Sequence, residues 1–559
     1  MGYEHDPDYV LTRFRAGEFD YLEAASEVVE TEFFRFLGAQ RTLAALAESY
    51  PSPRRKQEVP TWFFLASNLS MRLHGSHSFH AYPYVIRCGG MLNALGPELG
   101  HKATHPVSGD VTLSCAGFNR KNHYDRQTPC DADFLRKFAK DTEPERLEAW
   151  FNGDVLRWLH QQHGFDPEGI FIGDASYVFV PDNPRYQRSV RLLFDEHDHP
   201  LAAARLKELS PEAAARCRWR RCYKLVSLLH TDRERRRVLR VAARLLPGNA
   251  HECPVLYALV DDVVATLGRG VIRRLLLDRG FLDGARIADC KQRHGIDILI
   301  PLRQDMALYQ DALGLMALPE VGFRPYHPPA RPPLEPPRLP AAPAAVRRRE
   351  QRRQQTLKAR AAATPATSPE PHPLRSEVAG LAGFRSWSSC AVPLSVILNR
   401  EFDAAGQEHL WMLLDTRPLE TEDDPARRRD EYRLRTEIEE GHRQLKCFWD
   451  LAQFTSRHFA LVLNQLLFVL LAYNLLQLYL LQQDRPELTR RTRPRVRHQL
   501  LPSDSVILIY CHQRFATLAP LAYTELVLTL AEEPRRKILE QTRRLRRQLV
   551  RELPHPRPP

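Results

Sequence analysis

The stretch EYRLRTEIEEGHRQLK, Glu431 to Lys446, spaces a tyrosine, an arginine, a glutamate and a lysine as Y-x2-R-x3-E-x6-K. At about 100° per residue, with Tyr432 as origin, Arg435, Glu439 and Lys446 fall near roughly −60°, −20° and −40° of a helical wheel. All four share one stripe. Leu434, Ile438 and Leu445 fall near roughly 200–240°, a face suited to burial. The stripe offers one carboxylate among two cations and a phenol. A solvated amphipathic face would look the same, so the reading depends on partners for Glu439. Asp174 and Asp278 are the candidates. Three carboxylates converging on one place would hold a pair of Mg²⁺ ions, which take oxygen ligands and keep waters. Such a centre supports in-line attack on a phosphodiester by water or a 3′-hydroxyl. Taken singly, each acid also has a structural reading: Asp174 as a turn cap, Asp278 as a strand-end turn residue, Glu439 as a helix-surface acid.

The texture of the chain indicates which elements would carry these acids. GIFIGDASYVFVP is a short apolar run around Asp174 and reads as a strand. CYKLVSLLH and RRVLRVAARLLPG read as two more, across the charged turn TDRER. CPVLYALVDDVVATLG is a helix closed by Gly268, and VIRRLLLDRGF a strand ending at Asp278. LDGARIADCKQRHG is a helix closed by Gly295, and IDILIPLR a strand. The order β-β-β-α-β-α-β predicts a meander followed by crossovers, hence a mixed sheet with helices packed on it. Pro325 to Pro373 is rich in proline and arginine and too poor in large apolar residues to form a core. SCAVPLSVILNREFDAAGQEHLWMLLDTRP then predicts two strands around DAAGQE, ahead of the helix of Glu439. In a ribonuclease-H-like sheet the first strand, the end of the fourth and that helix meet at one edge.

With 559 residues and a net charge of +12, the chain is long enough for several domains and favours an anionic partner, nucleic acid by default. The ten cysteines are scattered without a C-x-x-C pair, as in a reducing cytoplasm. MGYEHDPDYV carries acids where a signal peptide needs a basic start. Phe459 to Leu481 is long and apolar enough for a membrane span. Asn464, Gln465, Asn474 and Gln477 interrupt it, so a buried core helix is predicted, with no membrane partner. His74, His77 and His80 recur every third residue, a spacing open to metal ligation, but Gly75 argues against a shared helical face. The first hundred residues read as helical. PRRKILEQTRRLRRQLVREL, near the C-terminal end, reads as a basic amphipathic helix suited to DNA or to a partner helix.

Tyr432, Arg435, Glu439 and Lys446 reproduce a Y-R-E-K signature in full, and Asp278-Arg279-Gly280-Phe281 fits the pattern D-x-G-Y/F. From about Cys130 to Leu481 the chain resembles the DDE transposases of bacterial insertion sequences, in the Y-R-E-K group that forms the fourth insertion-sequence family. LLPGNAHE and LKCFWDLAQFTSRHFALVLNQLLFVLLAY add to the likeness. The resemblance implies an α/β fold: a ribonuclease-H-like mixed sheet with flanking helices, a β-strand insertion before the last catalytic helix, and an N-terminal helical DNA-binding domain. It implies Asp174, Asp278 and Glu439 as catalytic residues and ligands of two Mg²⁺ ions, with Mn²⁺ able to substitute. Tyr432, Arg435 and Lys446 would contact the transposon end, and Trp387 or Trp411 would stand beside a flipped base. The expected partners are double-stranded DNA, as inverted-repeat ends and as target, and a second copy of the chain on paired ends, in the bacterial cytoplasm at the nucleoid. The expected layout is an end-binding region at 1–128, catalytic core at 129–324 and 429–485, linker at 325–373, strand insertion at 374–428 and a basic region at 486–559. Two other classes stay open: a non-catalytic DNA-binding regulator, and a metal-dependent nuclease that cuts without strand transfer.

Overall fold

The computed structural model describes residues 4–82, 130–329, 375–484 and 506–540 apart from a few single positions, with short pieces between 101 and 118. Most of the proline- and arginine-rich linker, including Arg347–Arg360, lies outside the described residues, as does the C-terminal basic stretch from 541 onward.

The centre is one mixed sheet of eleven strands. Its core strands are β1 (Ile170–Val180), β2 (Arg218–Thr231), β3 (Val238–Pro247), β4 (Arg274–Leu276) and β5 (Asp297–Pro301). Three more, β6 (Arg375–Phe384), β7 (Leu394–Phe402) and β8 (Glu408–Asp415), follow the linker. The order across the sheet is β3-β2-β1-β4-β5-β8-β7-β6. β1, β2 and β3 form an antiparallel meander, whereas β4 runs parallel to both β1 and β5. Helix α1 (Glu252–Leu267) carries the chain from β3 towards β4, and α2 (Gly284–Asp289) lies between β4 and β5. The predicted order β-β-β-α-β-α-β is present.

Three parts of the sheet were not anticipated, the smallest being Arg324–Pro325, which pairs antiparallel with β6 at the far edge. A hairpin of Val190–Phe194 and Pro200–Leu201 pairs with the first residues of β2, on the edge that β3 takes up further along. The strands after the linker number three rather than two, and β8 pairs antiparallel with β5, so they extend the central sheet.

β3 lies at the end of the ladder, and an unpaired strand edge must be satisfied or covered. Two asparagines do this. Asn474 accepts from the Arg240 amide at 2.8 Å and donates to its carbonyl at 2.7 Å. Asn152 does the same for Ala243, at 2.9 and 3.0 Å. Asn474 belongs to α5 (Phe459–Gln482), the one helix among the described residues long and apolar enough to cross a membrane. It is buried inside the protein, and three of the amides that interrupt its apolar run serve as edge pairs and loop clamps: besides Asn474, Gln465 holds the Gln453 carbonyl at 3.0 Å and Gln477 the Thr489 carbonyl at 2.9 Å.

The N-terminal helices pack against α5 and share its core. Tyr50, Phe64, Phe138, Trp150 and Phe468 form one aromatic cluster, and the Trp150 indole donates to the Leu46 carbonyl at 3.2 Å. Residues 33–82 therefore belong to the same hydrophobic body as the sheet. The first residues are not all helical. Glu4–His5 and Tyr21–Ala25 join the hairpin Val506–Cys511/Arg514–Leu518 in a four-stranded sheet that brings the two ends of the chain together. Its own core holds Val10, Phe14, Leu22, Ile507, Ile509 and Tyr523.

A buried ion network ties the sheet to the helices that follow. Arg274 on β4 is 1 % exposed and binds both oxygens of Asp415, at 2.6 and 2.7 Å, and Glu431 at 2.9 Å. Arg428 adds a contact to Asp415 at 2.9 Å. Both Arg428 and Glu431 lie on α3 (Asp424–Tyr432). Removing one member leaves the others charged and dry. Arg274→Met is therefore expected to lower stability by about 3–5 kcal/mol in urea titration, a far larger loss than any surface pair gives.

Candidate active site

Asp174 lies in β1 and Asp278 two residues past the end of β4. The strands pair parallel with Leu276 opposite Ile172, and the same register carried two residues on sets Asp278 beside Asp174. Neighbouring strands stand about 4.8 Å apart, so the two side chains share one face. Asp278 caps the turn Arg279–Phe281 by accepting from the Arg279 amide at 2.7 Å. Glu439 arrives from the helix α4 (Thr436–Phe448).

The segment that reads as one helix is in fact three pieces. α3 ends at Tyr432, Arg433–Arg435 form a tighter turn, and α4 begins at Thr436. The apolar face is where the spacing places it: Leu434, Ile438 and Leu445 are buried. The stripe also holds together. Arg435 reaches Asp278 at 3.4 Å and pairs with Glu439. The Tyr432 hydroxyl donates to the Leu277 carbonyl at 3.3 Å, fastening the helix to the residue before Asp278. Lys446 donates to the Ser176 hydroxyl at 2.7 Å, two residues along β1 from Asp174.

The three acids form a gradient from floor to rim. Side-chain exposure is 16 % for Asp174, 41 % for Asp278 and 53 % for Glu439. Burial pushes the Asp174 carboxyl up to about 6 against the pull of Arg435, and the nearby Asp278 charge pushes the same way. Burial works against the Arg435 cation, but Tyr432, Asp174, Asp278 and Glu439 outweigh it and hold the guanidinium above its usual value. Burial raises the Tyr432 phenol, and burial lowers the Lys446 ammonium. The carboxylates are gathered around Arg435 rather than closed on one another. Among the described residues, the group of three ligand-type side chains within 4.8 Å of one another is Asp261, Asp289 and His294. That cluster is filled by Arg286, which binds Asp261 at 2.5 Å and Asp289 at 3.0 Å, and it joins α1 to α2.

A buried arginine lies beneath the site. Arg240 on β3 donates to the Ser227 hydroxyl at 3.0 Å and to the Ile438 carbonyl, at the base of α4, at 3.0 Å. It makes room for itself at Gly441, where a Cβ would collide with the guanidinium. Glycine weakens a helix interior, and here close approach explains its place. The next residue, His442, is buried with its Nε2 3.7 Å from Asp174 Oδ2. Neither Arg240 nor His442 was singled out from sequence. His442 falls near roughly −80° on the wheel, beside Arg435, so its placement on the stripe was available. Arg240 carried no such signal, being one arginine in an apolar strand.

Trp411, one of the two aromatic candidates, lines an open cleft of about 460 Å³ with Arg279, Arg303 and Tyr309. Trp387 packs partly buried against the main core. His74, His77 and His80 form no ligand group among the described residues; His77 is buried with its Nδ1 2.8 Å from Arg72.

A mixed β3-β2-β1-β4-β5 sheet with flanking helices fits the ribonuclease-H-like fold of transposases, and the three acids stand on its first strand, just past the end of its fourth and on the helix that follows the added strands. The chain belongs to the transposase DDE domain family, whose model matches residues 166–475. No curated protein matches it. Members of this family act on DNA and normally use divalent metal ions. The residues present fit such an ion. A guanidinium is wedged among the acids where a cation is wanted, and a buried imidazole nitrogen faces the same place without a hydrogen-bond partner.

Proposed function

We propose that this chain is the transposase of an insertion sequence in the Y-R-E-K group, binding terminal inverted repeats and performing cut-and-paste transposition. Asp174, Asp278 and Glu439 would be the catalytic acids and would hold two Mg²⁺ ions, for which Mn²⁺ substitutes. When bound, the ions would supply an activated water or 3′-hydroxyl and stabilise the leaving oxygen. The chain's own residues do the rest. Arg435 holds Asp278 and Glu439 together and offers a guanidinium to a phosphate brought against them. Lys446, anchored on Ser176, extends that positive edge along β1. Tyr432 fixes α3 against Leu277 and so sets the place of Asp278 relative to Glu439. Trp411, in the cleft that reaches Arg279, is the better placed of the two aromatics to receive a displaced base. The observation that carries the reading is the single guanidinium, Arg435, shared by two acids beside a third on the buried floor.

The strands β6 to β8 would be the insertion expected before the last catalytic helix, and a dimer on paired ends is the expected active form. The linker, with Arg347–Arg360, would add nonspecific DNA affinity. The test is a labelled duplex carrying the DNA that flanks the gene, incubated with the full chain and Mg²⁺ and read on denaturing gels. Nicked and joined products support the proposal. Nicking without joining indicates a nuclease, and binding without either product indicates a regulator.

A further inference from the structure

We propose that His442 is a nitrogen ligand of the divalent ion held at Asp174, so that the site is a mixed carboxylate–imidazole centre; this rests on the metal-site reading above. His442 lies three residues after Glu439, on the side of α4 that packs against β1. It is 6 % exposed, and its Nε2 is buried with no hydrogen-bond partner. An orphaned buried polar atom costs about 1–3 kcal/mol, a cost that a bound ion would remove. Nε2 stands 3.7 Å from Asp174 Oδ2, beyond hydrogen-bond range. Two ligands on one ion, with bonds of about 2.1 Å at open angles, stand about 3.0–3.6 Å apart. A shift of a few tenths of an ångström brings the pair to that spacing.

The charged groups that face the ring are Arg240, Lys446 and Arg435. Asp174, on β1, is the carboxylate in contact with it. Gly441, immediately before it, admits Arg240 beneath the helix, and the Arg240 bond to the Ile438 carbonyl fixes the turn from which the imidazole projects. Nitrogen ligation has a consequence that three carboxylates alone would not produce. Imidazole suits Mn²⁺ and later transition ions better than Mg²⁺, so the centre should prefer them more strongly than an all-oxygen site does.

The decisive measurement is pulsed electron paramagnetic resonance of the full chain loaded with one equivalent of Mn²⁺, without DNA. The expected result is a nitrogen hyperfine coupling that changes when the protein is made with isotope-labelled histidine. His442→Gln and His442→Phe should retain Mn²⁺ binding and lose the coupling, and the preference for Mn²⁺ over Mg²⁺ should fall about tenfold. Asp174→Asn should lose the bound ion. Mn²⁺ bound without nitrogen coupling in the unaltered protein overturns the proposal even if both histidine variants fail to fold, and coupling that persists in a folded His442→Gln does the same. Failure of the unaltered protein to bind Mn²⁺ at all overturns the metal-site reading on which the proposal stands.

Discussion

Asp174→Asn is expected to give a protein that cannot cut DNA and yet, in EDTA at neutral pH, is more stable than its parent. Burial raises this carboxyl from an ordinary 3.8 to about 6, and that value already includes the attraction of Arg435. Between those two values the folded protein binds more protons than the unfolded chain. The carboxyl's contribution is therefore fully present below pH 3.8 and is lost as pH rises through about 6. By pH 7 an ionised Asp174 costs the metal-free fold an upper figure of about 3 kcal/mol. Asparagine keeps the shape and does not titrate. Urea titrations in EDTA should show the variant ahead of the parent at pH 7 and level with it near pH 4. Added Mn²⁺ should raise the melting temperature of the parent and leave the variant unmoved, because a cation offsets the cost only where the carboxylate is present. A variant equally destabilised at both pH values would mean that Asp174 is a structural hydrogen-bonding residue.

The parts legible in the sequence were those set by local periodicity. Tyr432, Arg435, Glu439 and Lys446 sit on one stripe because helical spacing is a property of a short segment, and it survives the tighter turn at Arg433–Arg435. The strands of Asp174 and Asp278 were readable because buried strands are continuous apolar runs closed by turn residues. β6 was missed for a related reason. RSEVAGLAGF carries Gly380 and Gly383, which blur a strand pattern, and its pairing with β7 shifts register at that point. The pairing of Tyr21–Ala25 with Val506–Cys511 was not legible, since it joins segments at opposite ends of the chain. VILIYC and RFATL are nevertheless ordinary strand signals around a turn at His512, whose φ is 48°. Arg240 and Arg274 were invisible for a deeper reason. Sequence marks an arginine as a surface cation, and only the fold shows that Asp415, Glu431 and the Ile438 carbonyl wait for it inside.

Glu439→Gln, Glu440→Gln and Glu437→Gln should separate into three distinct outcomes, although the three acids stand within four residues of one another. Glu439 is the most exposed of the three acids and pairs with Arg435, so its loss should leave stability nearly unchanged. As a ligand acid it should nevertheless abolish metal-dependent nicking and joining while DNA binding persists or tightens, since a negative charge near phosphate is gone. Glu440 faces away, held by Arg443 at 2.7 Å and Gln444 at 3.1 Å, and its glutamine variant should keep substantial activity. Glu437 looks like an equally harmless control on a helical wheel, near roughly 140° from Tyr432. The fold gives it another task. It is 4 % exposed and pairs at 3.4 Å with Arg235, from the turn between β2 and β3. Arg235 is itself partly open to solvent, which moderates the loss, so Glu437→Gln should cost roughly 1–3 kcal/mol of stability. It should lose activity only in proportion to the unfolded fraction, with the activity per folded molecule intact. Denaturing gels of a labelled end duplex, read alongside urea titrations of the same preparations, distinguish the three. Robust cutting by Glu439→Gln with loss in Glu440→Gln would transfer the catalytic role one residue along α4 and overturn the stripe that first drew attention to this segment.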